Sequence, residues 1–218
     1  MPDFNFDFNW IDIIGLSVLF LLWAYLISAT KRAGVNAWRF LIGSMGCFVT
    51  GIIAIRPFAI KYINYVLAAI VGIFGNITGW YQTIFRESAV FITTDVGGFL
   101  LQIDVECSGI IEILAFLSLL IFFDVYTKKQ KLVSGIIGTL YIIAANAIRI
   151  IVISCIVRFC GQGSYEVAHT YIGRLLFYGL SVAMYFYVFT APQIRSMKIG
   201  SFSYDKKKEE NEHITADN

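Results

Sequence analysis

The chain is poor in charge. Of its 218 residues only 15% are Asp, Glu, Lys or Arg, where soluble domains carry roughly a quarter, and the two signs nearly cancel to a net +2. The few basic residues sit in short connections and make no cationic face, which excludes a nucleic-acid partner. Proline occurs three times and histidine twice, at His169 and, in the tail, at His213. The four cysteines, Cys47, Cys107, Cys155 and Cys160, form no Cys-x-x-Cys pair and no repeated spacing, so neither a disulfide framework nor a zinc ribbon is indicated. A cleaved leader needs a basic start, yet the first lysine is Lys31 and Asp3 and Asp7 come first, so the first apolar run reads as a retained span.

What the chain has is apolar surface. Hydrophobic residues make up 58% and aromatics 16%, with a mean hydropathy of +0.72. These values predict an integral membrane protein with room for about six spans of roughly 20 residues and no separate soluble domain. The expected fold is an all-α, polytopic transmembrane helical bundle. It forms a single membrane domain over residues 1–200, followed by a polar tail, 201–218, that reads as disordered and cytoplasmic.

Apolar runs place the spans at 11–29, 37–55 and 58–80, then at about 107–123, 132–157 and 170–191. Between Tyr81 and Val105 the pattern becomes polar and alternating, as in Leu101-Gln-Ile-Asp-Val, and predicts a short extracytoplasmic loop or strand. The basic turn Lys128-Lys-Gln-Lys131 and the tail lysines Lys206-Lys-Lys agree on a cytoplasmic side. Cys107 then lies at the outer start of its helix, and His169 in a short outer loop over 160–169. One conflict remains, because three spans before an outer loop would put Lys31, Arg32 and Arg39 outside. A third segment that re-enters without crossing removes it.

The stretch Asp104-Val-Glu-Cys-Ser-Gly-Ile-Ile-Glu112 sets a thiol and three carboxylates at the mouth of an apolar run. Ionisable groups at membrane depth are costly and mark functional sites. A thiol at a helix start is favoured as thiolate by free amides and the helix dipole, and Ser108-Gly109 leave room for a substrate backbone. Arg149 lies in an apolar run of more than twenty residues, with Asn146 three residues earlier on the same face. Acyl transfer needs a nucleophile, a base and a donor to the developing oxyanion, which Cys107, His169 and Arg149 supply in turn. Ser108, Gly109, Asn146 and Glu112 are supporting candidates; Asp104, Glu106 and Arg174 are possible orienting groups or boundary charges. Glu112 is equally a structural partner for Arg149.

Cys107-Ser-Gly at the outer start of a helix, Asn146-x-x-Arg149 in the next and His169 leading into the last resemble the exosortase/archaeosortase family of membrane cysteine transpeptidases. The resemblance covers residues 85–190, the catalytic half, and not the first 80; many members have more spans than this chain. It implies Cys107, Arg149 and His169 as catalytic residues. It also implies secreted protein substrates with a C-terminal sorting signal, cut through a thioester and passed to an amine or lipid acceptor at the cell membrane. Neither a metal nor an organic cofactor is required by that scheme. The rival expectations are a small membrane transporter and a non-enzymatic scaffold of a secretion or polysaccharide assembly.

Overall fold

The computed structural model describes residues 10–54, 56–94, 97–103 and 105–194. Asp104 and the residues from 195 on, the expected disordered tail among them, lie outside the described residues. In chain order the elements are α1 (Trp10–Arg32), α2 (Asn36–Ala54), α3 (Arg56–Thr78), β1 (Tyr81–Ile84), β2 (Ala89–Thr94), β3 (Gly97–Gln102), α4 (Val105–Ser108), α5 (Ile110–Phe122) and α6 (Lys128–Cys160). The last is α7 (Gln162–Ile194). The chain forms two compact units, one of the residues up to Tyr62 with Ile110–Asp124, the other of Ile63–Gly109 with the residues from Val125 on.

In the first unit, glycine placement sets the packing. α1 stops where Gly34 takes φ +70° and the amides of Gly34 and Val35 close back on the carbonyls of Lys31 and Thr30 at 3.4 and 3.3 Å, a left-handed stop that glycine enters without strain. The chain reverses, and Trp23 Nε1 donates to the Ile42 carbonyl at 2.9 Å while Gly46 leaves the room that the indole fills. On another part of α2, Gly43 faces the Phe122 ring and Gly51 the Leu114 side chain, both of α5. Small residues let apolar helices approach closely where no water drives them together. An ion pair between Arg39 and Asp124 brings the start of α2 and the chain just past α5 to one end of the unit.

In the second unit, α6 is the spine. Thr127 and Gln130 form a reciprocal capping box at its start, and its 33 residues extend about 50 Å, more than a hydrocarbon core needs. Gly161 alone, at φ +84°, separates it from α7. Ser164 secures that turn by donating to the Gly161 carbonyl at 2.7 Å. α7 then packs back along α6: a Cβ on Gly173 would stand 2.9 Å from Ile153 Cδ1, and Tyr141 Oη donates to the Leu180 carbonyl at 3.1 Å.

The residues after α3 fold into an antiparallel meander with β2 in the middle, pairing Tyr81 with Ile92, and Ile92 with Phe99. Its inner face, Tyr81, Val90, Ile92 and Leu101, is buried with Leu67, Ala68 and Val71 of α3 and Ile150, Ile153 and Val157 of α6. α3 closes the outer edge of β1. Gly75 lets the Tyr81 carbonyl and ring approach, Gly72 does the same for Thr83, and Tyr81 Oη donates to the Val71 carbonyl at 3.0 Å. Burial, and secondarily Cys155, pushes the Tyr81 hydroxyl above the ordinary tyrosine range, so it remains a donor.

The chain is thus a polytopic all-α membrane protein with one small sheet before the Cys-Ser-Gly motif. Among the described residues four helices have the length and apolarity to cross a bilayer: α2, α3 from Ala59, α6 and α7. α1 covers the first expected run. Two expectations need correction. The run at 107–123 is not one helix, because Gly109 at φ +70° divides it into the single turn α4 and the 13-residue α5, about 20 Å long. The outer loop at 160–169 is reduced to Gly161, and His169 lies inside α7.

Gly75→Ala is expected to destabilise the second unit by about 1–3 kcal/mol, because the added methyl meets the Tyr81 carbonyl, a backbone atom that cannot swing aside. Gly163→Ala, with nothing within 4 Å, is the control. Thermal unfolding of both variants in the same detergent measures the difference.

Candidate active site

Cys107 is the third residue of α4 and 5% exposed. Its helix is one turn long, so the expected dipole of a long helix does not act on it. Its neighbour is His169, whose Nε2 lies 3.3 Å from the sulfur. That contact suits either a thiol donating to the imidazole or an imidazolium donating to a thiolate, the two ends of one proton transfer.

His169 reaches the sulfur from an irregular turn. α7 widens to a π-type turn over Ala168–Gly173, and its buried residues there, Ala168 and Gly173, are five apart where a regular helix repeats every three or four. Such single widened turns accompany functional sites because they re-aim one side chain without ending the helix. One turn before it, Tyr165 stacks on the imidazole, with ring centroids 5.4 Å apart and planes 23° from parallel. Tyr165 is itself held by Phe99 of β3, 5.1 Å away. The imidazole is therefore packed from the sheet through two aromatic rings.

On α6 the buried stripe carries Gly135, Gly138, Ile142, Ala145, Asn146, Arg149, Ile153 and Val157, in steps of three and four that keep one face. Arg149 is 4% exposed, and its guanidinium carbon lies 6.0 Å from the Phe177 ring centroid, a cation–π distance. Asn146 is 1% exposed, and neither its Nδ2 nor its Oδ1 has a hydrogen-bond partner among the described residues. The Asn146 amide stands where a Cβ on Gly109 would go. The absence of a side chain at Gly109 leaves the space that Asn146 occupies.

The structure thus brings Cys107 to His169, and Gly109 to Asn146, with Arg149 one turn further along α6. Ser108 is fully buried beside them. Glu112 is half-buried on α5 in the other unit, and Arg174 half-buried on α7. Asp104 and the Glu106 side chain lie outside what is described. Sequence reasoning passed over Tyr165 and Phe177. The spacing Tyr165-x-x-x-His169 is the signal that finds the first, once 162–169 is read as helix.

A thiol in contact with an imidazole, beside a helix stripe bearing a buried amide and guanidinium, defines a class of polytopic membrane protein with a cysteine–histidine pair at a helix break. The family model for transmembrane exosortases matches residues 9–187, and the chain belongs to that family. No curated protein and no solved structure matches it.

Tyr165→Leu removes the ring that holds His169 and is expected to slow alkylation of Cys107 by N-ethylmaleimide roughly fivefold, whereas Tyr165→Phe retains the parent rate, since stacking is worth about 0.5–1.5 kcal/mol. Peptide mass spectrometry of timed samples gives both rates.

Proposed function

We propose that this protein is a membrane cysteine transpeptidase or protease that processes the C-terminal sorting signals of secreted proteins. The observation that carries the reading is the 3.3 Å contact between Cys107 Sγ and His169 Nε2. The Cys107 thiol gives its proton to His169 and attacks a substrate peptide carbonyl. Arg149 donates hydrogen bonds to the oxyanion that forms. As the tetrahedral species collapses, the peptide C–N bond breaks, His169 returns the proton to the leaving amine, and a thioester remains on Cys107. An amine on a lipid or cell-surface acceptor then attacks the thioester; with water instead, the outcome is proteolysis. Asn146, a turn before Arg149 and against Gly109, supports the bend that presents Cys107. The catalytic half of the chain is residues 85–190.

The site faces outward in this reading. The Arg39–Asp124 ion pair gathers Lys31, Arg32 and Arg39 at the end of the first unit from which the chain runs into the Lys128–Lys131 turn. The positive-inside rule then assigns all of these to the cytoplasm. Cys107, one helix away before α5, and His169, one helix away after α6, fall on the extracytoplasmic side of the cell membrane. In this reading α3, although long and apolar enough to cross, re-enters on that side without crossing. The early basic residues then fall on the cytoplasmic side with the Lys128–Lys131 turn.

The first test is N-ethylmaleimide labelling of the purified protein in lipid at neutral pH, read by mass spectrometry. Cys107 is expected to label faster than Cys47 or Cys155 under matched accessibility, and at least tenfold more slowly in His169→Ala or Arg149→Ala. Labelling of Cys107 no faster than the others sinks the nucleophile reading.

Orientation is tested by single cysteines in a cysteine-free background, probed in intact cells with a reagent that cannot cross the membrane. Gly163→Cys is expected to label and Gly34→Cys to label only after permeabilisation. The reverse pattern rejects the topology.

A further inference from the structure

The two edges of the sheet are treated differently. The outward groups of β1 belong to Tyr81 and Thr83; α3 lies against the Tyr81 carbonyl at Gly75 and against the Thr83 side chain at Gly72. On β3 the pattern follows from one bond: the Ile103 amide donates to the Ser88 carbonyl at 3.0 Å. That makes 88 and 103 a hydrogen-bonded pair, and antiparallel pairing alternates. Leu101 and Phe99 therefore bond to β2 through their partners Val90 and Ile92, while the N–H and C=O groups of Gly98, Leu100 and Gln102 point away from the sheet.

All three of these residues are exposed, Leu100 by 49%. Among the described residues no other strand pairs with β3. Nor does β3 carry a device that blunts a free edge: from Gly97 to Ile103 there is no proline and no charge. Gly98 has no side chain over the edge, and the Phe91 ring fills the space its Cβ would take on the sheet's outer face.

This open edge belongs to the site. Phe99 is the strand residue that packs on Tyr165, and Tyr165 stacks on His169. Four residues after Ile103, the same stretch of chain delivers Cys107. Its three outward residues span about 13 Å at roughly 3.3 Å per residue, and a row of alternating amide donors and carbonyl acceptors at that period matches the backbone of an extended peptide.

We propose that β3 is the docking edge for the substrate. An extended segment next to the scissile bond adds to the sheet as a fourth strand, held by backbone bonds to Gly98, Leu100 and Gln102, and its carbonyl is laid at Cys107. The proposal rests on the reading of Cys107 as the nucleophile toward a peptide, and it makes recognition next to the cut depend on backbone conformation more than on side-chain identity.

The test uses the full-length protein in lipid nanodiscs and three probes: N-ethylmaleimide, a mixed-sequence tetrapeptide with a C-terminal vinyl sulfone, and the same tetrapeptide N-methylated on alternate amides. The peptide is expected to alkylate Cys107 roughly fivefold faster than its N-methylated form, the worth of one or two backbone hydrogen bonds. Leu100→Pro deletes an outward amide that takes no part in the β2 ladder, and is expected to lose that advantage, while Leu100→Ala keeps it and both react with N-ethylmaleimide like the parent. Equal rates for the two peptides on the parent, or a full advantage retained by Leu100→Pro, overturn the proposal. If Leu100→Pro also slows N-ethylmaleimide, the N-methyl comparison on the parent decides. A benzophenone-bearing copy of the peptide, applied to Cys107→Ser, is expected to crosslink within residues 97–102. That readout separates failed docking from a failed nucleophile, and crosslinks confined to other segments reject the edge.

Discussion

A guanidinium and a carboxamide on the buried stripe of an apolar helix cannot be left to lipid, and the second unit is organised by that constraint. An ionised or unpaired polar group in hydrocarbon costs several kcal/mol, yet Arg149 and Asn146 are 4% and 1% exposed. Both must therefore be enclosed by protein. The single-residue link at Gly161 sends α7 straight back along α6, so that Phe177 reaches the guanidinium. The bend at Gly109 brings backbone against the Asn146 amide. The sheet then covers the same helix further along, at Ile150, Ile153 and Val157. Each covering element also contributes to the site: α7 brings His169, the bend Cys107, and the sheet the ring stack that packs on the imidazole.

The bend at Gly109 shows how one residue serves packing and chemistry together. Its φ of +70° is open to glycine and strained for a side chain, and the space a Cβ would need belongs to Asn146. Any other residue there would push α4 away from α6. Because Cys107 is two residues earlier on a single turn, such a shift would move the sulfur relative to His169. A thiol on an unbroken helix would instead have been fixed by that helix's rotation alone.

Much of this was legible in the residues, and what was not has identifiable causes. The long apolar runs gave α1, α2, α3, α6 and α7 to within a few residues, apart from the extra turns that α6 and α7 add at their shared end, because length and hydropathy suffice where the surroundings are uniform. Cys107, Arg149 and His169 stood out because each is a reactive or charged group in a setting that makes it costly. The division of 107–123 was hidden: one glycine in an apolar run does not announce the sign of its φ. Gly161 and Gly163 together read as a loop, whereas only Gly161 leaves the helical path. That misreading concealed the helical spacing of Tyr165 and His169. The register of the sheet could not be read at all, since Tyr81, Val90, Ile92 and Leu101 find their inner face only against α3 and α6.

The widened turn in α7 resolves a geometric conflict that a regular helix could not. α7 must keep small residues, Ala168 and Gly173, against the core, and Gly173 packs so closely on Ile153 that the register there has no slack. A regular repeat from Gly173 would bring its buried face to residues 169 and 170, and give the close-packed position to His169. The extra residue moves that position back to Ala168. His169 is thereby turned to the margin of the interface, half-buried, where its ring meets the Cys107 sulfur on one side and Tyr165 on the other. The same insertion that preserves helix packing leaves the His169 ring at the margin of the interface, in contact with the sulfur.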